Sequence, residues 1–498
     1  MTRLNPAALA ALPAGIGRPA YDRGALETGI VHLGVGAFHR AHQAVYTDDA
    51  LAAGDLRWGI LGASLRSPET RDALSPQDGL YSIAVLSAEG AERRVIGSIH
   101  RLLVAPENPE ALIAAMAEAN VVIVSLTVTE KAYCLDPATG QLDERHPDIV
   151  HDLANPERPR SALGYLLAAL QRRRQAGVAP FTILCCDNLT ANGAKLHAAL
   201  TQLAALTGED LGRFVADHVA CPSTMVDRIT PQTTDADREA ASRALGVDDA
   251  WPIVTEPFTQ WIIEDRFPLG RPRWEIGGAV MVEDVAAYET MKLRCLNGAH
   301  STLAYLSASA GVETIAEAMA IPEFAEVIRR LWRLDALPTL QPVPGVDLGD
   351  YTRALEARFR NPAIRHRTLQ IAMDGSQKLP PRLIATALDL LRSGVEPRII
   401  PLSIAAWMRF LLARTESGDA YIVNDPLAER LTRLARETSG SASALSAALL
   451  GVSEVFPAEL TDNAAFCADV ERRLAQFLQL GVCATVAAVL AESEPGGS

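Results

Sequence analysis

The chain is poor in the features that mark secreted, membrane-embedded and nucleic-acid-binding proteins. Its 498 residues hold seven cysteines (Cys134, Cys185, Cys186, Cys221, Cys295, Cys467 and Cys483), an odd number without a Cys-x-x-Cys pair. That argues against a disulfide frame or a thiolate zinc site and for reduced thiols in a cytoplasm. Cys185 and Cys186 sit side by side in an apolar run, where cysteine behaves as a small buried hydrophobe. Met1 to Arg23 lacks a basic start followed by an apolar core, so no secretory signal is expected. No uninterrupted apolar run approaches membrane-spanning length. Positive charge is in deficit: 46 Lys and Arg against 60 Asp and Glu leave a formal net charge of -14. An acidic surface argues against nucleic acid and anionic membrane as partners, since both need basic patches, yet leaves room for a small anion in a locally basic pocket. Internal repeats are missing as well.

What is present reads as ordinary globular protein, 49% hydrophobic and 21% charged, with length for two or three domains. Residues 1 to 29 are a lead-in rich in Ala, Pro and Gly. The runs 30–33, 58–63, 121–127 and 181–186 are continuously apolar, as buried parallel strands are. Leu80 to Leu86 and Arg94 to Ile99 alternate around Ala88-Glu89-Gly90 and predict a β-hairpin beside the main sheet. A helix is predicted from Ser161 to Ala176. From Tyr288 onward strand-like runs become scarce, and helical patterns follow at 289–309, 322–333, 349–359, 380–393, 401–414, 426–436, 442–450 and 464–491. The composition shift near Val285 predicts an α/β domain over 1–286 and a mainly α-helical domain over 287–498, with a frayed end at Glu494 to Ser498.

Several strand ends carry chemistry. Ile30 to Leu33 runs into Gly34-Val35-Gly36 and then a helical pattern, the setting in which a glycine pair lets backbone approach a pyrophosphate. The third glycine of the usual fingerprint is replaced by His39, and a plain βα turn is the competing reading. Phe38, His39 and Arg40 stand in the same turn as cofactor-side candidates. Glu69, after the second apolar run, is a candidate for the adenosine ribose hydroxyls, which favours NAD; its neighbours Arg66 and Arg71 are the features that would welcome NADP. Strand C-termini face the ligand crevice of open α/β sheets, which points Thr127, Thr129 and Lys131 towards a nicotinamide, and Asn188 towards a carbonyl or alkoxide oxygen. Asn188 as an ordinary helix cap is the alternative. Asp187 reads as structural, and Asp227-Arg228 as a plain ion pair.

The richest stretch is Met291-Lys292-Leu293-Arg294-Cys295-Leu296-Asn297-Gly298-Ala299-His300. On an ideal α-helix Lys292, Asn297 and His300 fall within about 140° of one another over roughly 12 Å of axis. One face then carries an ammonium, a carboxamide and an imidazole, a set costly to bury unless it meets a polar ligand. A solvated helix face is the bland alternative.

Taken together, Gly34-Val-Gly-Ala-Phe-His-Arg-Ala-His42, Ser125-Leu-Thr-Val-Thr-Glu130, Cys186-Asp-Asn-Leu189, Met225-Val-Asp-Arg-Ile-Thr-Pro231 and Lys292-x4-Asn297-x2-His300 resemble the mannitol dehydrogenase family of polyol-specific long-chain dehydrogenases. The resemblance covers nearly the whole chain. It implies a Rossmann-type doubly wound N-terminal domain, a mainly α-helical C-terminal domain, and metal-independent hydride transfer between a nicotinamide and a sugar. It implies Lys292 as general acid/base, Asn188 and Asn297 as the pair holding the substrate oxygen, and His300 as a substrate-binding histidine. Glu289 is implied as an aid to proton exchange with solvent, and Asp227 and Lys378 as polar positions lining the sugar site.

The chemistry agrees. Oxidising a secondary alcohol needs a base for the hydroxyl proton and an acceptor for the hydride, and two carboxamides can stabilise the alkoxide without adding net charge. His39 and His42, at i and i+3, lack partners for a metal site. Within the family, Gln370 and the following Asp374-Gly-Ser-Gln-Lys-Leu-Pro380 look like the fructuronate reductase (mannonate oxidoreductase) branch, whereas Ala63-Ser-Leu-Arg-Ser67 and Asp248-Asp-Ala-Trp-Pro252 look like mannitol 2-dehydrogenases. A uronate carboxylate would suit Lys131, Arg367, Lys378 or Arg382. The expectation is therefore a cytoplasmic NAD-dependent enzyme, monomer or small homo-oligomer, acting on fructuronate/mannonate in preference to fructose/mannitol. A catalytically silent NAD-binding sensor and a metal-dependent dehydrogenase are the competing classes.

Overall fold

The apolar runs pair edge to edge. In the computed structural model, which describes residues 1–136 and 139–492, the strands are β1 (Thr28–Leu33), β2 (Gly59–Ser64), β3 (Tyr81–Ser87), β4 (Gly90–Ile96), β5 (Ile99–Val104), β6 (Ile123–Leu126), β7 (Thr182–Cys185), β8 (Thr224–Asp227), β9 (Ile253–Thr255), β10 (Gln260–Glu264) and β11 (Val280–Val282). The Glu494–Ser498 end lies outside the described residues. The chain divides into two units, Met1–Ala286 and Ala287–Ser498.

In the first unit β5-β2-β1-β6-β7 form one parallel sheet. Its strands read as continuous apolar runs because both faces are covered. Val31, Leu33, Leu61, Val124 and Ile183 point to one face, against the helices Pro109–Ala117 and Ala162–Gln175. Ile30, Ile60, Ile123 and Leu184 point to the other, towards Trp58, Trp261 and Trp274. Cys185 and Cys186 are buried thiols on opposite faces. Counting only strands of this sheet, the spatial order reverses between β1 and β6, the switch point of a doubly wound fold.

Five strands, β5, β8, β9, β10 and β11, are not among the predicted runs. Ile99 does not close the hairpin but opens β5, the edge strand beside β2. Gly97 and Ser98 make the break: the Gly97 N–H donates to Asp48 and the Ser98 hydroxyl to the Ala44 carbonyl, which turns the chain from one sheet to the other. The hairpin β3-β4 pairs instead with β9, and β8, β10 and β11 make a third small sheet.

The second unit is helical in its described residues. The helix Gly298–Ala310 is its axis, buried from Gly298 through Ser309. It packs on Ile400–Phe410 through a Thr302–Ser403 hydroxyl contact of 2.8 Å. That second helix starts on Asp335, whose buried carboxylate accepts the N–H groups of Arg398, Ile399 and Ile400. Several patterns read as single helices are interrupted. Segments Lys292–Asn297, Leu331–Ala336 and Pro380–Ile384 wind as π-helix, and 464–491 breaks at Gly481 (φ 84°) into Ala464–Leu480 and Val482–Ala491. Among the described residues no helix is long and apolar enough to cross a membrane.

Candidate active site

At the switch point the chain leaves β1 through Gly34, with φ 93°. A Cβ there would fall on the Thr127 carbonyl, whose carbon would lie 2.9 Å away. Thr127 seals the approach by donating its hydroxyl to the Gly34 carbonyl at 2.8 Å. Gly34 is thus required by conformation and by space. Gly36 differs: it is exposed, with φ -80°, and a Cβ on it would meet only the Gly34 oxygen at 3.9 Å. Open backbone ahead of the helix Ala37–Ala41 is what close approach of a phosphate asks for.

His39, in the place of the third glycine, is turned inward. Its ring stacks on His32 with centroids 3.4 Å apart. His32 in turn sits between Ser125 Oγ at 2.8 Å and Thr127 Oγ1 at 2.9 Å. Burial holds the His32 imidazole down to about 3 and pushes His39 well below the ordinary histidine value, with further repulsion from His32 and Arg40. Arg40 is buried too; it donates to the Trp251 carbonyl at 2.5 Å, and its guanidinium lies over Tyr81. Against the expectation, the side chains of His39 and Arg40 brace the loop from inside instead of facing a nucleotide. Phe38 is half-buried on His42, whose Nε2 donates to the Gln260 carbonyl. Glu69 is exposed in the first turn of the helix Glu69–Leu74, and Arg71 is held by Asp72 and Glu107.

The end of β6 is strained. Thr129 has φ 74° and ψ 156°, a region that suits glycine and costs a β-branched residue ~1–3 kcal/mol. The neighbouring strand end holds it there. Asp187 accepts the Val128 N–H on Oδ2 (2.9 Å), the Thr129 N–H on Oδ1 (3.0 Å) and the Tyr133 hydroxyl on Oδ2 (2.6 Å). Three hydrogen bonds to one side chain hold the segment in that conformation. Burial raises the Asp187 carboxyl, and these three donors oppose that shift. Asn192 locks the following turn: its Nδ2 donates to the carbonyls of Asp187 and Thr224, and its Oδ1 accepts the Thr224 N–H. Asn188, between these anchors, is exposed. Asp227, at the end of β8, is buried, and the Arg228 guanidinium donates to the carbonyls of Ala41 and Glu256. Lys131 is exposed on the short turn Glu130–Tyr133.

In the helical unit Lys292, Asn297 and His300 are all buried, at 7%, 7% and 6% exposure, so the solvated-face reading fails. Lys292–Asn297 is π-helical, and the Gly298 N–H bonds the Leu293 carbonyl five residues back. With i to i+5 bonding, residues five apart stack on one face, which aligns Lys292 with Asn297 more closely than an α-helix would. Glu289 is buried one turn earlier, in Ala286–Met291. Gly298 allows the backbone of Arg382 to approach, and Arg382 Nη1 donates to Ser301 Oγ at 3.1 Å.

Two residues absent from the sequence reading join this group. His366 lies edge-on to His300, centroids 5.2 Å apart, and Phe359 covers the other side of His300 at 4.4 Å. Burial drives His300 well below its ordinary value, and His366, Arg358, Arg382 and Lys292 push it the same way. His366 is held to about 4 by burial, then by Lys378 and Arg358. Burial and a cationic field thus both disfavour the charged form of the two imidazoles. Asn297 Nδ2, His300 Nε2 and His366 Nδ1 are buried without hydrogen-bond partners. Each such group costs ~1–3 kcal/mol, and a cluster of them marks a place for a polar ligand. Lys378 donates to the Ile371 carbonyl at 3.3 Å. Arg367, contrary to expectation, is 67% exposed and paired with Glu313 at 3.2 Å. The helical pattern 349–359 covers Arg358 and Phe359 without marking either as functional, and the only signal for His366 is its place between Arg365 and Arg367. A cavity of about 280 Å³ elsewhere in this unit, bordered by Arg330, Arg398, Arg473 and Glu492, includes none of these residues. Among the described residues, Cys134, His146 and Asp148 form a group with metal-ligand spacing in the first unit, but His146 Nδ1 already accepts the Asp148 N–H.

A doubly wound sheet opening on Gly-x-Gly, followed by a helical unit with a buried lysine, carboxamide and imidazole, defines an oxidoreductase with a Rossmann domain and a separate helical domain. Residues 28–276 match the mannitol dehydrogenase Rossmann domain and residues 284–478 the mannitol dehydrogenase C-terminal domain. The chain belongs to the mannitol dehydrogenase family. It is 43% identical over 479 residues to D-mannonate oxidoreductase of Escherichia coli (strain K12), covering 95% of this chain and 98% of that protein. To mannitol 2-dehydrogenase of Cereibacter sphaeroides it is 44% identical over 412 residues, 82% of this chain and 86% of the other. The solved ternary complex of Pseudomonas fluorescens mannitol 2-dehydrogenase with NAD and D-mannitol superposes with a TM-score of 0.91 at 40% identity, over 99% of this chain and 100% of that one.

Proposed function

We propose that this chain is an NAD-dependent oxidoreductase that moves a hydride between nicotinamide and a sugar, with D-fructuronate/D-mannonate as the favoured pair. The observation that carries the reading is the buried Lys292 on its π-turn, grouped with the partnerless polar atoms of Asn297 and His300. Burying an ammonium beside unsatisfied donors is costly, and a bound sugar would repay it in hydrogen bonds.

The Gly34–Gly36 turn fits a dinucleotide: one glycine makes the turn, and the other leaves backbone open. Thr127 and Thr129 border the ring end, and Glu69 holds the ribose hydroxyls. Arg71, already engaged by two carboxylates, makes a poor seat for a 2′-phosphate, which favours NAD over NADP. Nicotinamide, when bound, gives or takes the hydride. Proton movement falls to Lys292: its protonated amine donates to the carbonyl oxygen during reduction, and its neutral amine accepts the hydroxyl proton during oxidation. A lysine free in water titrates at ~10.4, and a base at neutral pH works best with a value of ~7–8. Asn297 and Asn188 donate to the substrate oxygen, His300 holds a neighbouring hydroxyl, Glu289 exchanges the lysine's proton with water, and Asp227 with Lys378 contact the remaining sugar. No metal is assigned a step.

The substrate preference rests on charge. Lys378 and Arg358 act on His366, and Arg358, Arg382 and Lys292 on His300, which suits a ligand bearing a carboxylate. Likeness to mannitol 2-dehydrogenases supports a second reading, fructose/mannitol. The test is NADH oxidation with fructuronate and with fructose by the wild type and Lys292→Ala. The expected result is faster turnover of fructuronate, and at least a ~100-fold loss in the variant with NADH binding, read by fluorescence, unchanged. Full activity in Lys292→Ala would reject the mechanism; faster turnover of fructose would move the choice to the second reading.

A further inference from the structure

We infer that Asp187 is a positioning residue, the buckle of a strap formed by residues 128–133. Its carboxylate takes the Val128 and Thr129 N–H groups where the strap leaves β6 and the Tyr133 hydroxyl where the strap returns. Between those anchors the chain makes the turn Glu130–Tyr133, closed by Cys134 in the left-handed region with φ 50°. The loop is thus pinned at both ends by one side chain.

The backbone conformation gives that pinning a purpose. Thr129, at φ 74° and ψ 156°, has a β-branched side chain in a conformation it would leave if released. Nothing in the local sequence favours it: there is no glycine between Gly97 and Gly140. The restraint comes from a strand about sixty residues further on. A second link stiffens the buckle: since Tyr133 donates to Asp187, the Cys185 thiol, 2.9 Å from the same phenol, donates to it. Asp187 also precedes Asn188, and its carbonyl accepts from the buried Asn192 amide. One residue therefore sets both the strained peptide at the end of β6 and the start of the segment carrying Asn188. Resting on the function proposed above, this means that Asp187 fixes the floor on which nicotinamide and substrate meet without touching either.

The test uses the full chain and a double-mutant cycle. Asp187→Asn keeps one acceptor oxygen but turns an NH2 towards donors. The expected loss in kcat is at least 30-fold, with a changed isotope effect from deuterated NADH. In a Thr129→Gly background the same change should cost less than 5-fold, because glycine holds this conformation without the buckle. Hydrogen exchange of the peptide 127–131 without any ligand gives a readout independent of turnover: protected in the wild type, at least 10-fold faster in Asp187→Asn. Tyr133→Phe, which removes one donor, should give a smaller loss that also shrinks in the Thr129→Gly background, and serves if Asp187→Asn does not fold. Equal losses in both backgrounds, a loss under 3-fold, or an unprotected wild-type peptide would overturn the inference. Inactive Lys292→Ala beside fully active Asp187→Asn would reject the buckle and leave the function standing; active Lys292→Ala would reject the function, while the exchange data would still decide the buckle.

Discussion

Replacing Gly34 and Gly36 separately with alanine divides one three-residue motif into a folding part and a binding part. At Gly34 the new methyl meets two penalties. The φ of 93° is disfavoured for any residue with a Cβ, at ~1–2 kcal/mol. The methyl would also overlap the Thr127 carbonyl, which β6 and the Thr127 hydroxyl bond to Gly34 keep from retreating, adding ~1–3 kcal/mol of overpacking. The expected destabilisation is thus about 2–5 kcal/mol. At Gly36 neither penalty applies, since φ is -80° and the space is open, so stability should change by less than ~0.5 kcal/mol. If that openness serves a dinucleotide phosphate, Gly36→Ala should still weaken NADH binding by about 10-fold or more, or ~1.4 kcal/mol. Urea unfolding followed by tryptophan fluorescence measures the first quantity, and calorimetric NADH titration the second. A Gly34→Ala protein as stable as wild type would refute the steric reasoning. Unchanged NADH affinity in Gly36→Ala would remove this turn from the cofactor site.

Acid should destabilise the nucleotide unit through His32. Burial holds its folded value near 3, whereas the unfolded ring titrates near 6.5, so between these values the unfolded chain binds the extra proton and stability falls as pH drops. By pH 4.5 the loss should reach about 2–3 kcal/mol, and His32→Asn should flatten that slope in urea midpoints measured from pH 7 to 4.5; an equally steep slope would contradict it. His366, held to about 4, should add a smaller contribution of the same sign in the helical unit. Arg358→Leu should raise KM for fructuronate by about 10-fold or more while changing that for fructose by less than ~3-fold, the difference expected for a lost charge-assisted contact; equal effects on both would dismiss the carboxylate argument.

Continuous apolar runs fixed the buried parallel strands, and their ends named Thr127, Thr129 and Asn188, because a strand covered on both faces must be apolar throughout. The lysine stretch was legible as chemistry because a cation, a carboxamide and an imidazole recur at helical spacing. Tertiary structure decided the rest. Whether those three groups were buried could not be read from spacing, nor could the π-turn that aligns Lys292 with Asn297, since i to i+5 bonding leaves no mark in the pattern of apolar residues. His39 stood where a glycine was expected and proved to stack on His32, a contact between a strand and the following turn. Asp187 passed as structural because its work is done on Val128, Thr129 and Tyr133, brought to it by the pairing of β6 with β7. Likewise Arg358 and Phe359, at the end of one helix, and His366, on the loop that follows it, reach His300 only through tertiary packing. Periodicity records which face of an element is apolar, but sequence distance says little about which polar atoms on different elements come within reach.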